Sequence, residues 1–175
     1  MIRTATTLLV AGLAAAALAT PTEPDVGSSP PPTAPAPAFE LPLPGDARVV
    51  HPFAAPASLF GPGHRGVDLA ADVDAVVRAP AAGTVAFAGT VVDRGVVTVS
   101  HDGGLRSSLE PVSWSVHPGE RVERGEPIGV VQAVAGHCAP AACVHWGVRR
   151  GATYVDPLGL VAGARPGPVV LLPGP

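Results

Sequence analysis

At 175 residues the chain accommodates one domain, or one domain with appendages. Charged residues are 14% and hydrophobic ones 47%, which excludes wholesale disorder, and aromatics at 4% leave a core to be built mainly from Val, Leu, Ala and Ile. The 21 glycines and 22 prolines, about a quarter of the chain, disfavour long helices. All 11 basic residues are arginine, the formal net charge is −3 and no basic cluster occurs, so no nucleic acid is expected as a partner.

The N-terminus carries Arg3, an apolar run from Leu8 to Leu18 and the small-x-small triplet Ala17-Leu18-Ala19. This reads as a secretory signal peptide over 1–19, cleaved after Ala19. The run is too short to cross a hydrocarbon core of ~30 Å, so no membrane span is expected after its removal. With no cysteine near the cut, a lipid anchor has no attachment point. Cleavage leaves 10 basic against 14 acidic residues. The expected location is secreted, or extracytoplasmic and associated with the cell wall.

Residues 20–46 contain nine prolines among Thr, Ser and Ala, a composition that favours extended polyproline II and reads as a semi-rigid linker without a core. From 47 to 162 short Val-rich runs alternate with Gly-, Pro- and Asp-containing turns. These runs are Arg48–Val50, Val76–Val77, Gly83–Val92, Val96–Ser100, Ile128–Val134 and Cys143–Val148. Runs of two to ten residues separated by turn-rich breaks indicate one all-β domain. The tail 163–175, rich in Pro and Gly, is expected to be irregular.

Three stretches carry groups capable of chemistry. His64-Arg65-Gly66-Val67-Asp68 has an H-x-x-x-D spacing after Gly61-Pro62-Gly63. Val144-His145-Trp146 lies on a run that reads as a strand, and Gly119 to Gly129 forms a series of tight turns. Imidazole and carboxylate are the usual N/O ligands of zinc, and two His plus one acid leave a fourth position for water. Zinc lowers the pKa of that water towards ~7, producing a hydroxide able to attack a peptide carbonyl. Spacing alone does not separate this from polar residues satisfied within the fold. Export makes a local disulfide between Cys138 and Cys143 the expectation, stabilising little through so short a loop but fixing local geometry.

At these residues the chain resembles the lysostaphin-like (LytM-type) zinc metallopeptidases that cut bacterial cell walls. The likeness runs through His64-Arg65-Gly66-Val67-Asp68-Leu69-Ala70, Val77 to Val85, Gly95 to Gly104, Gly119 to Gly129 and Cys143 to Arg149, ending at Asp156-Pro157-Leu158. Together these motifs span about residues 47–160 in unbroken order. The resemblance implies an antiparallel barrel-sandwich (a duplicated hybrid motif) with a groove. It further implies Zn2+ held by His64, Asp68 and His145, and hydrolysis of peptides in peptidoglycan.

Two histidines that assist the chemistry in that family have no counterpart. Their positions fall on Pro111 and Cys143. A positioned general acid–base contributes ~10²–10⁴-fold and an oxyanion-type donor ~10²–10³, so their replacement points to weakened hydrolysis. The alternative function is a degenerate zinc module that binds wall peptides or regulates a partner hydrolase. Glu110 and His137 are the nearest substitutes, but alternation along a strand is expected to turn Glu110 away from the site, and His137 reads as a loop residue. Cys143 lies two residues from His145 and so shares its face, either as a free thiolate closing a His₂AspCys site or within the disulfide. His51, His101 and His117 have no partner spacing and read as surface or structural. Trp146 is expected to face the core, and Arg149-Arg150-Gly151 to be a solvated strand end. A biotinyl- or lipoyl-type carrier, which shares the Gly-spaced turn pattern, is excluded by the absence of lysine.

Overall fold

A computed structural model of the chain describes residues 38–58, 61–134, 136 and 138–161. The expected signal segment 1–19, the linker up to 37, His137 and the tail 163–175 lie outside the described residues. In chain order the strands are β1 (Val49–His51), β2 (Val67–Ala70), β3 (Val76–Arg78), β4 (Gly83–Val91), β5 (Arg94–Ser100), β6 (Leu105–Glu110), β7 (Val112–Trp114), β8 (Arg121–Val122), β9 (Pro127–Val131), β10 (Cys143–Arg150) and β11 (Thr153–Val155). Helical conformation among the described residues is limited to two short 3-10 turns, Asp102–Gly104 and Pro157–Leu160. The fold is all-β and antiparallel, as the Val-rich runs between turns anticipate. No helix among the described residues is long and apolar enough to cross a membrane.

The larger sheet has the order β1-β2-β10-β6-β5-β4-β8, with β11 also paired to β10, and the smaller sheet has the order β3-β9-β7. Successive side chains on a strand point to opposite faces, and this alternation divides the large sheet into a dry face and a wet one. On β10, Val144, Trp146 and Val148 are buried, as are Leu105, Ser107 and Leu109 on β6 and Val97 and Val99 on β5. Cross-strand register joins them: Trp146 faces Leu109 and Leu109 faces Val97. The opposite face carries His145, Gly147 and Arg149 beside Glu110, Ser108 and Arg106. Strand β6 was not among the runs expected from apolar content, because its inward positions include Ser107.

Ser107 is tolerated in the core because it is fully hydrogen-bonded. His101 Nδ1 donates to the Ala82 carbonyl at 2.9 Å, which leaves its Nε2 to accept from the Ser107 hydroxyl at 2.8 Å. The Trp146 indole N–H in turn donates to Ser107 Oγ at 3.4 Å. Burial pushes the His101 pKa below its ordinary value, opposed in part by the bond to Ala82. His101 is thus structural and Trp146 faces the core, as the sequence led us to expect. His117 is exposed beside Glu120.

The linker expected over 20–46 differs from the structure at its C-terminal end. Phe39 and Leu43 are buried at 1% and 5% exposure and belong to the core. The Glu40 N–H donates to Pro80 O and the Arg78 N–H donates to Pro42 O, both at 2.8 Å. Prolines lack a donor but keep their carbonyls, and the apolar side chains between them supply what the composition average concealed. The Phe39 ring lies 6.3 Å from the Trp146 ring and 5.0 Å from His101.

Two outcomes follow for stability. Phe39→Ala should destabilise the domain by about 3–5 kcal/mol, the usual loss for a buried aromatic, read from denaturant unfolding at neutral pH. Because His101 is held neutral, the folded state binds fewer protons than the unfolded state below the ordinary imidazole pKa, near 6.5. Its stabilising contribution is therefore intact above about pH 6.5 and lost progressively as the pH falls through the lowered folded value. Thermal melts between pH 8 and pH 5 should show a steeper loss for the wild type than for His101→Gln.

Candidate metal centre

Four strands of the large sheet build the site. In register, His51 of β1 faces Asp68 of β2, Asp68 faces His145 of β10, and His145 faces Glu110 of β6. Cross-strand partners lie on the same face, so a row of titratable side chains crosses the sheet. His64 joins from the loop before β2, anchored by backbone bonds in both directions with Ala54 at 2.8 and 3.0 Å.

The convergence is tight. His145 Nδ1 lies 2.8 Å and His64 Nε2 3.2 Å from Asp68 Oδ1, and the two ring nitrogens are 3.1 Å apart. The other carboxylate oxygen, Oδ2, is 2.9 Å from His51 Nδ1. Asp68 is 1% exposed, and a buried carboxylate must be compensated by donors or a cation. His64 Nδ1 lies 2.8 Å from the Pro52 carbonyl, which can only accept, so the proton sits on Nδ1 and the Nε2 lone pair faces the site. Two imidazole nitrogens and a carboxylate oxygen thus meet at 2.8–3.2 Å. Neighbouring donors in a tetrahedral shell with bonds of about 2.0–2.1 Å are about 3.3 Å apart. The residues fit a zinc ion in donor type, number and spacing. The expected trio His64, Asp68 and His145 is brought together as a possible metal-holding group. Cys138 also lies near His51 and Asp68, but as a half-cystine it offers no thiolate.

Gly66 explains the glycine between His64 and Asp68. A Cβ there would collide with the Trp146 carbonyl oxygen and lie 2.7 Å from His145 Nε2, so only glycine lets the loop pass over the imidazole.

Three expectations need correction. His51, read as lacking a partner, is bonded to the central carboxylate; the pairing of β1 with β2 is long-range and leaves no local signal. Glu110, expected to turn away, lies directly across from His145 and lines the same groove. The alternation argument from Pro111 does not apply, because Pro111 sits past the end of β6, in the bend before β7. Arg149, expected at a solvated strand end, is partly buried and also lines the groove, whereas Arg150 is exposed.

Cys138 and Cys143 form a disulfide, and no free cysteine occurs among the described residues. The closed His₂AspCys alternative therefore falls away. Cys138 Sγ lies 4.0 Å from His51 Nδ1. Pro111 and Cys143, where the resemblance leads one to expect histidines, line one small cavity of about 30 Å³. Glu110 bonds to Arg94 at 3.0 Å, a contact that raises the Arg94 pKa further and neutralises the pair.

From this end a groove of about 510 Å³ runs along the wet face, floored by His145, Glu110, Ser108, Thr98, Arg106 and Arg149. An all-β groove with an imidazole–carboxylate centre at its end defines a metallopeptidase-type domain. A model of peptidase family M23 matches residues 62–157, and the chain belongs to that family. It is 45% identical over 124 residues to an uncharacterized protein of Mycobacterium tuberculosis, which aligns with 69% of this chain and 50% of the relative. The chain thus spans about half the length of the curated relatives it matches. Among solved structures, Helicobacter pylori Csd3 superposes with a TM-score of 0.60 at 25% identity, covering 73% of this chain and 35% of that one. The solution structure of lysostaphin gives 0.58 at 20% identity, covering 74% and 57%.

Gly66→Ala should lower stability by about 1–3 kcal/mol, the usual penalty for overpacking. Gly136→Ala, where an added Cβ meets nothing within 4 Å, should leave the melting temperature nearly unchanged. Thermal unfolding of both variants in chelator-treated buffer checks the comparison.

Proposed function

We propose that the domain holds zinc on His64, Asp68 and His145 outside the cytoplasm and acts on peptide bonds of bacterial peptidoglycan, more slowly than a site with both assisting histidines. The observation that carries this reading is the meeting of two imidazoles and a buried carboxylate at the end of a groove in a family M23 fold. The disulfide and the leader-like N-terminus support an extracytoplasmic location. Zinc bound there would supply an acidified water and polarise the peptide carbonyl.

The chain's own residues have separable parts in this reading. Asp68 and His145 are strand residues whose orientation the sheet fixes, and the Pro52 carbonyl holds His64 in one tautomer. His51 steadies the second carboxylate oxygen. Glu110, across from His145, offers a carboxylate to take up or return a proton in place of a missing histidine.

A second reading, a zinc module that binds wall peptides or regulates a partner hydrolase without cutting, is favoured by one observation. The positions of both assisting histidines hold an apolar ring and a disulfide sulfur, neither of which carries a proton. Metal analysis and muropeptide digestion with purified wild type and His145→Ala decide between them. The wild type should retain roughly one equivalent of zinc and release fragments slowly, and the variant should do neither. Equal zinc in both would remove the ligand assignment. Zinc without cleavage would establish the second reading.

A further inference from the structure

The far end of the groove holds an arrangement that the fold itself does not explain. Arg149 of β10 and Arg106 of β6 are direct cross-strand partners on the groove face. Like charges directly opposite one another destabilise an antiparallel pair. Among the described residues, neither has a carboxylate within ion-pair distance. The row continues through Ser100 of β5 on one side and Tyr154 of β11 on the other. The Arg65 guanidinium lies over the Tyr154 ring, 5.8 Å from its centroid. The groove lining thus carries three arginines against one glutamate, a net +2 in a chain of net charge −3. That one glutamate, Glu110, is already bonded to Arg94 at the opposite end. A concave site with low-dielectric walls concentrates such a field on whatever enters it.

We infer that Arg106 and Arg149 form a carboxylate clamp that selects wall peptides bearing a free carboxylate beyond the bond presented to the metal centre. The inference rests on the wall-peptide reading above and adds to it the chemistry of the ligand. Positions 145 and 149 are four residues apart on one strand, about 13 Å at ~3.3 Å per residue. An extended peptide covers that span with about four residues. Between the two ends the floor offers Ser108 and Thr98, whose hydroxyls are bonded at 3.0 Å, and Gly147, which leaves the strand surface low. Planar guanidinium forks match a carboxylate in a two-point contact, and an anion between the two arginines removes their mutual repulsion.

The test is calorimetric titration of the full mature chain with a synthetic wall stem tetrapeptide, once with its carboxylates free and once fully amidated. The free acid should bind about 10- to 100-fold more tightly, the factor expected of a charge-assisted hydrogen-bonded contact. This preference should shrink as ionic strength rises. The double variant R106Q/R149Q should bind both forms alike while melting no lower than the wild type, because a repulsive pair has been removed. Equal binding of acid and amide by the wild type overturns the clamp and leaves the wall-peptide reading standing. Undiminished preference in the double variant overturns the assignment to these arginines. Binding of neither form overturns both readings.

Discussion

The Asp68 carboxylate sits at 1% exposure in the middle of a strand sequence that is otherwise apolar. An isolated charge in such a position is costly by several kcal/mol even after relaxation. It is tolerable because two imidazoles lie within donating distance of its oxygens, His51 from β1 and His145 from β10. His64 turns a lone pair to the same point, where a cation would balance the charge. The donors come from positions 51 and 145, so the carboxylate is satisfied only when distant segments have paired in the correct register. A slip of one residue in β10 against β2 would turn His145 into the core and Trp146 out of it. Fold register and site geometry are therefore the same constraint.

The two faces of the large sheet divide the remaining labour. Val144, Trp146 and Val148 fix β10 from below with full burial, and the same strand presents His145, Gly147 and Arg149 above. A site built on strand residues whose neighbours are locked in the core is held more firmly than one built on loops. Phe39 extends this support from outside the sheet, since its ring packs near Trp146, one residue from His145. The Pro-rich entry to the domain is thus mechanically connected to the floor of the groove.

Much of this was legible in the residues. The H-x-x-x-D spacing, the Val-rich runs and the two-residue step from Cys143 to His145 each depend on local geometry, and local geometry is what sequence records. The same holds for the disulfide, whose partners are five positions apart. What was not legible depends on pairing between distant strands. His51 has no local feature to distinguish it, and its part follows only from β1 lying against β2. Glu110 faces the groove because Pro111, from which alternation would turn it away, lies beyond the strand end. The packing of Phe39 and Leu43 was hidden by averaging over a proline-rich window. Strand β6 carries no apolar run because its central inward position is a serine, acceptable there because His101 and Trp146 share its hydroxyl.

The disulfide and Pro111 shape the surface beside the candidate metal centre. So short a loop contributes little entropy when cross-linked, so the value of the bond lies in where it places matter. It ties the start of β10 to the turn that carries Cys138, setting that sulfur 4.0 Å from His51 Nδ1. Together with Pro111 and Glu110 its two half-cystines line a small cavity of about 30 Å³. The two sides of His145 differ in charge: Glu110 is paired with Arg94, whereas Arg106 and Arg149 have no carboxylate within ion-pair distance among the described residues. An extended peptide lying along β10 from His145 towards Arg149 would meet increasing positive charge. Where the family resemblance leads one to expect two histidines, a proline and a half-cystine offer no titratable proton and instead line this cavity.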